Sequence, residues 1–289
     1  MSLQEKSLLV CISLCGMPSS RIDKDTTAFV LRSQSAQDEA GRWTARLWPK
    51  EALEPIRAID SAIRAYHYSK TLPWLDDGKR IIASRVFQEY TDHLRSLRLQ
   101  REVEVRNFIH NYDNWMDRAR DMRGTAFDYS EYPPREKAAK KFRFDVNAEP
   151  IPCSDDFRVS LAAPDMERIQ ADLNARLKSA EATARRDLYA RMAAPVAALL
   201  DRLADPDSRI TDASLNAIHA VCDAIPDLNV WDDPEINALR DRIAMQLATL
   251  RPESLKDSRS DRTRAASKAT SILNAMAPWL GAEEIDAAA

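Results

Sequence analysis

From Ser84 to Arg123 the chain contains neither proline nor glycine, and its large apolar residues fall at helical spacing. Phe87, Tyr90, Leu94 and Leu97 make one run, and Val105, Phe108, Tyr112, Trp115, Ala119 and Met122 a second. With Ser84 as N-cap and Gly124 as terminator, this reads as a single helix. At about 1.5 Å per residue it would be on the order of 60 Å long, more than a small domain is wide. Such a rod needs a partner of similar length to cover its apolar side. The two runs differ in register by a four-residue stutter that puts Arg101 and Glu104 on the stripe, which predicts a bend or a polar layer there.

The natural partner lies between Asp165 and Leu203. Met166, Leu177, Leu188 and Leu199 recur every eleven residues, with Ile169, Leu173, Ala180, Ala184, Met192 and Val196 between them. That period gives a straight or slightly right-handed stripe. Two helices of near-equal length joined through a compact insert are expected to lie antiparallel. Pro195 is expected to kink the second near its end.

The remaining segments are shorter. Leu8–Cys15 reads as a buried strand, and Thr26–Ser33 as a strand or a short helix. Arg42–Trp48 reads as a strand ending at Pro49. Residues 50–70 form a helix with Leu53, Ile56, Ile59, Ile63 and Tyr66 inward, and Pro55 kinks it or marks its first turn. Residues 72–80 read as a loop: Asp76-Asp77-Gly78 is turn chemistry, because glycine supplies positive φ and aspartate bonds its own backbone. Lys141–Val146 and Asp156–Leu161 suggest a hairpin joined at Pro150 and Pro152. With Leu8–Leu14 it would make a small sheet capping one end of the helix pair.

Asp205-Pro206-Asp207-Ser208 is the best candidate boundary, dividing a region 1–204 from a C-terminal bundle 205–289. Three helices are expected there: 212–224, one started by Asp233-Pro234-Glu235 as N-cap and N1 proline, and 258–280. The fold class expected is therefore mainly α, a long antiparallel, coiled-coil-like helical hairpin with a small β-sheet head and a C-terminal three-helix bundle. Composition agrees, since 5 glycines against 45% hydrophobic and 30% charged residues favour helices over a large sheet.

A net charge of -3 argues against nucleic-acid binding over the whole surface and leaves local patches open. Cys11, Cys15, Cys153 and Cys222 lack paired metal spacing, so reduced thiols, no metal and a cytoplasmic location are expected. The apolar segment Leu8–Leu14 is too short to span a membrane and lacks the marks of a secretory leader.

Several landmarks resemble a family found in bacteriophages and mobile elements that is known only as a domain of unknown function. They are Leu72-Pro73-Trp74 with Gly78-Lys79-Arg80, Tyr132-Pro133, Phe142-Arg143-Phe144, Pro150 and Pro152, and Phe157-Arg158-Val159. The resemblance covers about residues 8–200. It implies no activity, no cofactor and no catalytic residue; it implies a bacterial host and an accessory role, since related genes sit beside a ring-forming AAA ATPase and a von Willebrand A-type protein.

No phosphate-binding glycine loop, His-Glu-x-x-His, nucleophile elbow or Cys–His set is present. Asp113, Asp117 and Asp121 are interleaved with Arg118, Arg120 and Arg123 and read as a salt-bridged face. The first functional expectation is a non-enzymatic interaction or assembly protein, marked by an exposed apolar patch on the sheet head or the C-terminal bundle. Trp74, Asp76, Asp77, Lys79 and Arg80 form a candidate partner-contact loop, although Trp74 reads more readily as a plug over the helix pair and the two aspartates as turn formers and caps. The second expectation is a single-stranded nucleic-acid binder. Residues 135–143 carry Arg135, Lys137, Lys140, Lys141 and Arg143 against Glu136, an excess of +4, while Phe142 and Phe144 could stack bases. The opposing reading packs both phenylalanines inward, because they share one strand face. An enzyme is third and would need a deep polar pocket around Asp76, Asp77 and Lys79.

Overall fold

This computed structural model of the chain describes residues 3–75, 78–152, 163–205 and 208–280. Helix makes up 71% and strand 11%, so the protein is mainly helical with a small antiparallel sheet. It forms two compact units. The first comprises Met1–Cys11, Tyr68–Tyr90 and Asn147–Ala289, and the second Ile12–His67 and Thr91–Val146.

Four strands form the main sheet in the order β4-β5-β1-β6: β1 (Ser7–Cys15), β4 (Leu72–Pro73), β5 (Arg80–Ala83) and β6 (Arg143–Pro150). β1 runs antiparallel to β5 with Ser7 opposite Ala83 and Val10 opposite Arg80, and β4 pairs antiparallel with β5. The segment expected as a loop over 72–80 is thus a hairpin. Gly78 has φ +80, as its place after two aspartates predicts, and Trp74 N–H donates to Lys79 C=O at 3.2 Å. Consecutive residues Leu9 and Val10, and Ile81, Ile82 and Ala83, are buried, so this part of the sheet is covered on both faces. The expected strand 156–161, with Phe157-Arg158-Val159, lies outside the described residues, as do Asp76, Asp77 and Cys153.

In the first unit, α7 (Ala163–Ala204) packs against α8 (Asp212–Leu228), α11 (Arg259–Met276) and β4. α8 lies on α9 (Pro234–Ile243) and on the π-helical turn Ala244–Ala248 that continues it. Short helices α1 (Leu3–Lys6) and α10 (Pro252–Asp257) complete it. α9 begins as its sequence predicts: Asp233 accepts from Glu235 N–H at 2.9 Å, and Pro234 occupies the first turn where no N–H is needed. The eleven-residue stripe of α7 divides in two. Leu188 and Leu199 are buried beside Ala184, Met192 and Val196, whereas Met166, Ile169, Leu173 and Leu177 are only half-buried. Pro195 lies inside this helix. Residues on both sides of Asp205 belong to the same unit.

The carbonyls that end α7 have no partner within the helix. Arg262 of α11 supplies one, its guanidinium donating to the carbonyls of Arg202 (2.6 Å), Leu203 (3.4 Å), Asp205 (2.5 Å) and Ser208 (3.3 Å). A cation is also favoured at the negative end of the helix dipole.

The second unit holds most of α3 (Lys50–Lys70) and α4 (Phe87–His110), with α2 (Lys24–Ser33), α5 (Tyr112–Arg123), α6 (Arg135–Ala139) and a ribbon of β2 (Ser20–Ile22) and β3 (Thr44–Arg46). The expected unbroken helix 84–124 is two helices, preceded by a 3-10 turn at Ser84–Val86. The break falls at Asn111, whose φ of -93 and ψ of 17 leave the helical region, rather than at the stutter near Arg101. Its side chain donates to Asn107 C=O at 2.9 Å, the local competition that makes asparagine a poor helix interior residue. Gly124, at φ +54, ends α5.

Within their own units, the second apolar run of the 84–124 stretch packs on residues of the second unit, and α7 packs on α8, α11 and β4. Phe108 and Trp115, expected to face the 165–203 helix, lie in a core with Leu47, Trp48, Leu53, Ile56, Tyr112 and Tyr132. Trp48 is its hub, with ring centroids 5.3 Å from Phe108, 5.3 Å from Tyr112 and 4.9 Å from Tyr132. Tyr132 donates to Leu47 C=O at 2.6 Å and Tyr112 to Pro133 C=O at 2.6 Å, satisfying both hydroxyls. Under this core Arg123 pairs with Glu131, which also meets Arg21 at 2.5 Å. Of the expected salt-bridged face, Asp117 pairs with Arg120 at 2.9 Å and Asp113 with Arg135, while Arg118 reaches Glu51 at 3.3 Å.

Two outcomes follow from these contacts. Arg262→Ala should lower unfolding free energy by about 1–3 kcal/mol in urea denaturation, and Arg262→Lys should recover only part of it because one ammonium cannot span four carbonyls. Burial, with Tyr132 and Asp113 nearby, pushes the Tyr112 phenol from 10.0 up to about 12, and burial also raises Tyr132. A raised folded-state pKa keeps protons on the folded chain that the unfolded chain has lost, so stability should be intact below pH ~10 and fall as pH rises toward ~12. Melting temperatures between pH 9 and 12 should show this fall, and Tyr112→Phe should flatten it.

Candidate functional site

The β2–β3 ribbon of the second unit separates two surface features. Ser20 pairs with Arg46, Arg21 with Ala45 and Ile22 with Thr44. On one side lies α2, held to the ribbon through its N-cap. Asp23 accepts from Thr26 N–H at 3.0 Å, a bond that keeps its carboxyl below the usual range, and Asp23 N–H donates to Trp43 C=O at 3.0 Å. Trp43 N–H in turn donates to the Thr27 hydroxyl at 2.9 Å. Thr26–Ser33, which the sequence leaves between strand and helix, is therefore within a helix fixed at its first turn. That anchoring leaves apolar side chains outward: Phe29 is 71% exposed, Trp43 53%, Ile22 47% and Val30 38%. Val30, Leu31, Ala36, Ala40 and Trp43 surround a dimple of about 230 Å³.

On the other side, two adjoining clefts of about 520 and 500 Å³ share Leu53, Arg57 and Ser61 of α3. Their opposite wall is the chain from Leu14 to Ser20, joined in the first cleft by Thr44, Arg46 and Trp48. Lys50, Arg57 and Arg64 stand seven residues apart, on the flank of the helix's apolar stripe. Glu54 is paired with Lys50 at 3.4 Å and Asp60 with Arg101 at 2.6 Å. Arg57 donates to the Ser19 hydroxyl at 2.5 Å. Among the described residues Arg46, Arg57 and Arg64 have no carboxylate partner.

Arg101, expected on the stripe of a helix pair, supports the second cleft instead. It is 4% exposed, donates to Cys15 C=O at 2.7 Å and lies 5.9 Å from the centre of the Phe142 ring. One buried guanidinium thus ties α4 to α3, to the end of β1 and to the base of the cleft.

The basic segment 135–144 forms α6 and the start of β6. Arg135, Lys137, Lys140, Lys141 and Arg143 are exposed, with Arg135 paired to Asp113. Phe142 and Phe144 pack as in the opposing reading, inward from the strand. Phe142 packs edge-on to Phe108 at 5.7 Å and lines the second cleft, and Phe144 is buried with the Arg98 guanidinium 5.1 Å from its ring centre. Of the candidate partner-contact loop, the described residues Trp74, Lys79 and Arg80 are all engaged within the protein. Trp74 is 1% exposed, Arg80 donates to Thr71 through Nε at 2.7 Å and through Nη2 at 2.9 Å, and Lys79 pairs with Glu149. Asp76 and Asp77, which lie in this hairpin's connection, are outside the described residues.

Among the described residues no group of three or more His, Cys, Asp or Glu could hold a metal, and Cys11, Cys15 and Cys222 are free thiols. Among the same residues no helix is long and apolar enough to cross a membrane. His93, His110 and His219 are exposed and His67 is buried. Sequence reasoning missed the clefts. The repeat of Lys50, Arg57 and Arg64 was a legible signal, but nothing local says that residues 14–20 stand opposite it. Comparisons with protein-family models, with curated proteins and with solved structures give no match.

The buried pair at the base of the cleft makes a test of its own. Asp60→Ala leaves the Arg101 charge buried without its carboxylate and should cost about 3–5 kcal/mol in denaturant unfolding. Replacing both, as Arg101→Met with Asp60→Leu, should restore most of that loss.

Proposed function

We propose that the protein is a non-catalytic interaction protein that docks a protein partner through the apolar face of α2 and the adjoining ribbon. The observation that carries this reading is the exposure of Phe29 on a helix whose backbone is already fixed, together with that of Trp43, which lines the adjoining dimple. Aromatic side chains on a rigid support are typical anchors of interfaces, because little conformational entropy is lost when they are covered. Covering a side chain such as Phe29 or Trp43 contributes roughly 1.5–3 kcal/mol each, enough for two of them to change affinity more than a hundredfold. The resemblance to the phage family supports an accessory role and adds a ring-forming AAA ATPase to the partners worth including.

The experiment compares the protein with a Phe29→Ser, Trp43→Ser variant in quantitative affinity capture from cells that make it, with the ATPase included as a purified component. Both substitutions keep the backbone hydrogen bonds of α2, so the melting temperature should stay within about 2 °C. Partner recovery should fall at least about tenfold. Equal recovery by both proteins would show that this face is not where the partner docks.

A further inference from the structure

We propose that the paired clefts along α3 form a phosphodiester-binding track that holds a single strand of nucleic acid by its backbone, without reading its bases. This site is separate from the α2 face and does not depend on it. Three observations converge on it.

The first is charge without partners. Glu54 and Asp60 are the two acids lining the clefts, and each already has a cation, at 3.4 Å and 2.6 Å. Arg46, Arg57 and Arg64, without a carboxylate partner among the described residues, therefore leave a local excess of positive charge open to an outside anion. The unit that carries them holds 20 basic and 17 acidic residues, a balance of +3, whereas the first unit holds 22 and 28, a balance of -6.

The second is the form of the site. Lys50, Arg57 and Arg64 span fourteen residues of helix, roughly 21 Å at 1.5 Å per residue. A row of cations along two connected clefts fits a linear polyanion better than a compact one. Clefts of about 500 Å³ take a strand, while a duplex could touch only the rim.

The third is the supply of neutral donors. Ser19, Ser20, Thr44 and Ser61 line the clefts, and the first turn of α3 begins at the first cleft with its orphan N–H groups. Hydroxyls, guanidiniums and a helix N-terminus are the donors that phosphate oxygens accept from. Trp48 lines the same cleft but is buried in the core, and Phe142 and Phe144 are packed. With no fully exposed ring among the described residues that line the clefts, base identity should matter little.

The test is fluorescence anisotropy of the full chain with a labelled 20-nucleotide oligo-dT and a labelled mixed-sequence strand of the same length. Binding to both should be similar. Its logarithm should fall with the logarithm of salt with a slope of about -2, since three cations each release about 0.7 counterion on a single strand. Between 50 and 200 mM salt this is a roughly twentyfold loss. Arg46→Gln with Arg64→Gln removes two exposed guanidiniums that make no hydrogen bond among the described residues. It should weaken binding by at least about tenfold and reduce the slope to about -0.7, with an unchanged melting temperature. The proposal fails if the unaltered protein does not bind at 50 mM salt, or if the double variant binds as well as the parent. It also fails if a Lys137→Gln, Lys140→Gln, Lys141→Gln variant alone loses binding. Displacement of the strand by poly-glutamate as readily as by unlabelled oligo-dT would assign the track to acidic peptides instead.

Discussion

The second unit depends on what gathers around the Trp48 indole. It sits where β3 ends and α3 begins, and it brings α4, α5 and the Tyr132 turn into contact through three aromatic neighbours. Offset and edge-on ring pairs each add about 0.5–1.5 kcal/mol beyond the area they bury, so this knot is worth several times a typical surface contact. Its consequence is directional. With Trp48 held, Pro49 and the first turn of α3 are fixed, and the basic flank of that helix must face the chain from Leu14 to Ser20.

Arginine does much of the remaining fastening. Arg101 ties helix, helix and strand end together beneath the second cleft, Arg123 with Glu131 closes the far side of the aromatic core, and Arg262 satisfies the carbonyls that end α7. The planar five-donor fork suits such positions, because it can meet a carboxylate or several carbonyls at once while its charge is never lost. The Arg101 and Arg123 fastenings are also points of vulnerability, since removing one partner leaves the other buried with nothing to replace water. The same residue type plays the opposite part at Arg46, Arg57 and Arg64, where the guanidiniums are exposed and have no carboxylate partner among the described residues.

The β2–β3 ribbon therefore divides two kinds of surface chemistry. Toward α2 it offers aromatic and aliphatic side chains that gain from being covered. Toward α3 it offers hydroxyls and cations that gain from meeting an anion. A protein that docks one partner and holds a strand would use both, and neither surface requires a titrated catalytic group.

What the sequence determined by itself is local. Helix as the main element, the N-cap of Asp233 before Pro234, the end of α5 at Gly124 and the positive φ of Gly78 all follow from a few adjacent residues. The tertiary structure alone decided what covers each helix. The stripe containing Phe108 and Trp115 states that a face must be buried, yet apolar surface is non-directional and accepts any complementary partner. Within the units, the run around Phe108 and Trp115 meets Trp48 and Tyr132, and the 165–203 helix meets α8 and α11. The same reason hid the site: three cations spaced along α3 become a track only when a distant segment stands opposite them.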